Sequence, residues 1–85
     1  MTSQTYRSLA ADDSLTPDEA RERGAVDDDA LARTFLAEGG TPAPADAECL
    51  YAMTTYRESE RGPARFCFEG GTVVSVERLR TDLEP

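Results

Sequence analysis

The chain has 85 residues, a formal net charge of -8 and 39% apolar residues. A chain this short buries only about 60–65% of its unfolded surface, so one thin-cored domain is expected. The charge argues against direct binding to nucleic acid or anionic membranes, whose phosphates would be repelled.

His, Lys, Trp, Asn and Ile are absent. The lack of Lys, Asn and Ile beside abundant Ala, Arg, Gly, Asp and Glu points to the codon supply of a GC-rich bacterial or phage genome. Residues 1–14, MTSQTYRSLAADDS, are polar and contain no apolar h-region of a signal peptide. They read as a flexible N-terminal arm from which Tyr6 and Leu9 are able to dock. No run approaches the ~20 apolar residues of a membrane span, so a soluble, cytoplasmic protein is expected.

LTPDEARERG carries four helix signals. Thr16 suits an N-cap, and Pro17 suits the first helical position. Glu19 stands three residues after Thr16, as a capping box requires, and Gly24 is placed to end the helix near residue 23. VDDDALARTFLAEGG predicts a second helix, capped by Asp27 or Asp28. With Asp27 as cap, Val26 staples onto Leu31. Leu31 and Phe35, four apart with Leu36 beside them, give its apolar stripe. Gly39 and Gly40 stop it, and TPAPADA (41–47) forms an extended connector.

The remainder reads as β: ECLYAMTTYRE, then ARFCF, then TVVSVERLR, with ESERGP turning the chain between the first two. The turn at EGGT is decided by parity. A two-residue turn at Gly70-Gly71 sets Phe66 against Ser75 and mixes the faces. A three-residue loop, Glu69-Gly70-Gly71, pairs Phe66 with Val74 and puts Phe66, Phe68, Val74 and Val76 on one face. In the same scheme Tyr51, Met53 and Thr55 join that face. Leu50, Ala52, Thr54, Tyr56, Arg65 and Cys67 form the other. The expected fold class is α+β, with two N-terminal helices packed on one face of a three-stranded antiparallel meander. The domain spans 15–80, and 81–85 are a C-terminal tail.

The LTPDEA start, the Gly39-Gly40 and Pro42 break, the LYAMTTY strand and FCFEGGTVVSV together resemble the small ααβββ domains of outer-membrane assembly lipoproteins and β-lactamase inhibitor proteins. The resemblance covers roughly residues 15–79 and is one of layout and turn placement. It assigns no functional residues.

The chemical inventory is sparse. EGGT lacks the Lys and spacing of a phosphate loop. Without His, zinc would need more cysteines than Cys49 and Cys67, and the acids at 27–29 lack the alternation of a calcium loop. No cofactor or metal is expected. Two cysteines are too few for a disulfide framework and read as half-buried structural thiols. No His or Lys stands ready to activate a nucleophile. The leading expectation is therefore a non-catalytic protein-binding module: a small accessory, inhibitor or regulatory protein. Leu50, Tyr56, Arg65 and Val73 form its partner-binding face, and acidic steering favours a basic partner. The last strand is a second candidate surface, able to take a partner strand or a second copy of the chain as a homodimer. The bland reading there is that Arg78 and Arg80 guard the edge against aggregation. Two alternatives belong to other classes: an acidic nucleic-acid mimic that blocks a basic protein, and a small enzyme or enzyme partner in a biosynthetic pathway.

Overall fold

The computed structural model describes residues 1–55 and 61–79. Among them the chain forms α1 (Ser3–Ala10), α2 (Pro17–Glu22), α3 (Asp29–Ala37), β1 (Glu48–Thr55), β2 (Arg61–Glu69) and β3 (Thr72–Arg78). The strands make an antiparallel sheet in the order β1-β2-β3, so the α+β layout and the meander are as expected. No helix of the described residues is long and apolar enough to cross a membrane.

The second and third helices start where their capping residues dictate. In α2 the Glu19 amide donates to Thr16 Oγ1 at 3.2 Å, and the Thr16 amide donates to Glu19 Oε1 at 3.0 Å. This is the complete capping box, with Pro17 just inside it. For α3 the cap is Asp28, whose Oδ1 accepts from the Ala30 and Leu31 amides at 2.8 and 3.1 Å. Val26 does not staple onto this helix. It pairs in antiparallel fashion with Tyr51 instead.

Residues 1–14 are part of the fold rather than an arm. Thr2 caps α1 by accepting from the Thr5 amide at 3.0 Å. Leu9 is buried in the core, and the Tyr6 ring lies 5.8 Å from that of Phe66. So short and polar a helix is marginal alone, and packing on Phe66 supplies what its propensity does not.

The sheet register differs from the expected one at both connections. Between β1 and β2 the partners are Leu50↔Phe66, Ala52↔Ala64, Tyr51↔Arg65 and Cys49↔Cys67. Leu50 and Ala52 therefore share the face of Phe66, and Tyr51 and Met53 lie on the other. A one-residue change of register flips every side chain of a strand. The connecting segment, 56–60, lies outside the described residues. Gly62 and Pro63, expected in the turn, belong to β2. Pro63 is tolerated in this central strand because its backbone faces the end of β3, where its carbonyl accepts from the Leu79 amide at 2.9 Å.

Between β2 and β3 the turn has two residues after all. Gly70 and Gly71 have φ of 59° and 84°, and Glu69 pairs with Thr72. Two successive positive φ values are what a type I′ hairpin turn needs. The parity conflict is resolved by a β-bulge. Phe68 pairs with Val73, yet Cys67 pairs with Ser75, so Val74 is the extra residue. Beyond the bulge Phe66 meets Val76. Val73 and Val76 thus both reach the core, while Val74 stays 48% exposed.

The helices are divided between the two faces of the sheet. Leu9 of α1, Leu15, Ala20 of α2 and Ala25 pack with Leu50, Ala64, Phe66 and Phe68. On the opposite face α3 lays Phe35 edge-on against Tyr51, with ring centroids 6.0 Å apart, and beneath the Arg65 guanidinium at 4.5 Å. The expected arrangement with both predicted helices on one face is corrected accordingly: α2 holds that place, and α3 crosses to the other side. Gly40 lets the chain leave α3 close against Phe35, because a Cβ there would stand 2.1 Å from the ring.

Candidate functional site

With both faces of the sheet covered, its edges remain, and they are unlike. Along β1 the outer backbone groups of Tyr51, the Met53 carbonyl and the Thr55 amide are taken. The Val26 amide donates to the Tyr51 carbonyl and the Tyr51 amide to the Val26 carbonyl, each at 2.8 Å. The terminal amine of Met1 donates to the Met53 carbonyl at 3.0 Å. The Thr55 amide donates to the Met1 carbonyl at the same distance. Two separate segments thus cover this edge over Tyr51–Thr55.

The same bonds fix the direction of every backbone group in the sheet. Tyr51 faces outward to Val26, so Tyr51–Arg65 is a non-hydrogen-bonded pair, and Arg65 faces β3. Arg65 with Glu77 is then a hydrogen-bonded pair, which turns the backbone of Val76 to the outer side. Phe68 faces β1 by the same alternation, so its partner Val73 also faces out. Among the described residues, no segment pairs with the outer side of β3 over Thr72–Glu77. The open backbone of Val73 and Val76, with the exposed side chain of Val74 between them, is the candidate site.

Little guards this edge. Arg78, expected as a guard, turns to α1, lying 4.3 Å over the Tyr6 ring and donating to Ser3 Oγ at 2.9 Å. Arg80 lies outside the described residues. Glu77 turns toward the α3 side, where its Oε1 accepts from Thr41 Oγ1 at 2.8 Å and stands 3.5 Å from Arg65 Nη2. The bulge at Val74 is the remaining guard, since a bulged edge twists and pairs over a shorter length.

Of the four residues expected to make a partner-binding face, the three described ones do not share a surface. Leu50 is wholly buried beneath α1 and α2. Arg65 is 1% exposed beneath α3, and its Nη1 and Nη2 donate to the Thr41 carbonyl and Oγ1 at 2.6 and 3.0 Å. Val73 points its side chain to the core and keeps only its backbone at the open edge. Tyr56 lies outside the described residues. Arg65 is better understood as an anchor. It ties the 40–47 connector to the sheet through Thr41 and rests on Phe35, a buried cation–π contact.

The two cysteines are not free thiols; Cys49 and Cys67 are joined in a disulfide. Their Cα atoms are 4.1 Å apart, as suits the close spacing of a non-hydrogen-bonded antiparallel pair. The signal for this bond lay in two strands each carrying a cysteine on the α3 face, and it becomes readable once the register is known.

Some of the acids have local duties. Asp28 and Glu19 cap helices, Asp12 accepts from the Ser14 amide at 2.9 Å, and Arg21 joins Asp18 to Glu48 across α2 and β1. Among the described residues no cavity forms, and no three metal-ligating side chains cluster. No protein-family model, curated protein or solved structure matches the chain.

Proposed function

We propose that this chain is a non-catalytic protein-binding module, a small accessory, inhibitor or regulatory protein, that takes an extended segment of its partner onto the outer side of β3. The observation that carries the reading is the contrast between the edges. β1 is covered over Tyr51–Thr55 by Met1, Thr2 and Val26, whereas among the described residues no segment pairs with the outward backbone of Val73 and Val76. An added strand gains main-chain hydrogen bonds from such an edge and side-chain contact from Val74. The net charge of -8 favours a partner with basic residues beside its extended segment, and steering of that kind speeds encounter more than it tightens the complex.

Two exposed valines on opposite edges make the test. Val74 and Val26 are 48% and 45% exposed. A partner captured from the native host and then purified is titrated against Val74→Asp and Val26→Asp chains. The proposal expects Val74→Asp to lose binding by at least about tenfold, Val26→Asp to keep it, and added salt to slow association. Equal binding by both variants places the contact elsewhere. A concentration-dependent dimer in sedimentation that Val74→Asp abolishes makes the occupant a second copy of the chain.

A further inference from the structure

We propose that the Cys49–Cys67 disulfide is a redox-addressable staple, opened by dithiols through the Cys49 sulfur, so that the folded domain belongs to an oxidising compartment. This departs from the cytoplasmic location expected from the sequence, and it rests on where the bond lies rather than on any reading of β3.

The bond is placed to matter. It joins edge strand β1 to central strand β2 on the α3 face, one non-hydrogen-bonded rung from Tyr51–Arg65. It also lies on the rung where β2 meets the bulge of β3, since Cys67 is opposite Ser75. The apolar core on the opposite face of the sheet is thin, because Ala20, Ala25, Ala52 and Ala64 fill core positions there that larger side chains usually occupy. Small domains with so little to bury lean on covalent links, and such links persist where thiols are not kept reduced. The sequence separation of 18 closes a loop spanning most of the β1–β2 hairpin. A loop of that size raises the folding equilibrium constant roughly a hundredfold through the entropy it removes from the unfolded chain.

The two sulfurs are unequal. Cys67 is fully buried in the central strand, and Cys49 is half-buried on the outer one. Access decides which sulfur a thiolate attacks. One thiolate of the dithiol attacks Cys49 Sγ, the S–S bond breaks, and Cys67 leaves as a thiolate that takes up a proton. The second thiol of the reagent then attacks the mixed disulfide and expels Cys49. The reagent ends as its own disulfide, and two electrons and two protons have passed to the protein.

Three readouts decide the matter. Thiol titration of the denatured, air-purified chain should find no free thiol. Urea unfolding of the wild type with and without dithiothreitol should show roughly a hundredfold drop in the folding equilibrium constant, while a Cys49→Ala/Cys67→Ala chain shows no response to the reagent. Brief exposure of the native oxidised chain to glutathione, acid quench and peptide mapping should place the adduct on Cys49. Free thiols in the purified chain, unfolding unmoved by reductant, or an adduct mainly on Cys67 each overturn the proposal. The mapping uses the unaltered chain, so the outcome does not depend on whether the double variant folds.

Discussion

The two faces of the sheet are buried by different means. On the α1/α2 side, Leu9, Leu15, Leu50, Phe66 and Phe68 exclude water through apolar area, and the contacts of Arg78 with Tyr6 and Ser3 stand at its margin. On the α3 side, the covering rests on one ring, one guanidinium and one covalent bond: Phe35 between Tyr51 and Arg65, and Cys49 joined to Cys67. The first kind of packing is non-directional and tolerates exchange among apolar side chains of like volume. The second depends on geometry, since Arg65 gains little unless Thr41 and Phe35 stand where they do. An amphipathic helix over an apolar face is an ordinary solution. A short helix over a polar face needs anchors, and the chain supplies them from the connector.

Substitutions can break this comparison or sharpen it. The largest effect is expected at Phe66, which is wholly buried in the apolar face. Phe66→Ala should lower unfolding free energy by about 3–5 kcal/mol, while Phe66→Leu, nearer in volume, costs far less. Arg65→Ala should cost about 2–3 kcal/mol, because charge-assisted bonds to Thr41 are lost in a buried setting. Here Arg65→Lys should recover little, since an ammonium cannot reproduce the planar fork. Rescue by Lys equal to the rescue of Phe66→Ala by Leu would erase the distinction between the faces. Gly40→Ala ranks next, at about 1–3 kcal/mol, because the new methyl group meets the Phe35 ring. Its loss should add poorly to that of Arg65→Ala in a double variant, as the two disturb one cluster. Thr16→Ala removes only the α2 cap and should cost about 1 kcal/mol, independent of Arg65. Chemical denaturation of the oxidised chain measures all four.

How much of this was legible beforehand follows from how local each feature is. The capping box of α2 is written in four consecutive residues, Thr16 to Glu19, and it forms as read. The α3 stop at Gly39-Gly40 and the hairpin glycines are local in the same way. Where a feature depended on a distant partner, the reading faltered. α1 is a helix because Phe66 and Arg78 receive Tyr6, and no residue within 1–14 announces that. The β1 register differs from the expected one by a step that sets Leu50 rather than Tyr51 on the face of Phe66, and nothing local to β1 distinguishes the two. The bulge at Val74 is the compromise that lets a two-residue glycine turn and an apolar Val73 and Val76 coexist, and parity alone did not reveal it. The expected binding face of Leu50, Tyr56, Arg65 and Val73 rested on that register, and its three described members do not share a surface. Residues assigned to an open surface belong to two different interiors, and the open element is backbone, which composition does not display.

With both faces covered, the outer side of β3 is the surface with which no described segment pairs. Amide hydrogen exchange of the free, oxidised chain tests this most directly. The amides of Val26 and Tyr51 should be strongly protected, and those of Val73 and Val76 should exchange with little protection, although all four lie in or beside the same sheet. Protection at Val73 and Val76 matching that at Tyr51 in the monomer would mean the outer side of β3 is already occupied, and the proposed docking edge would not exist.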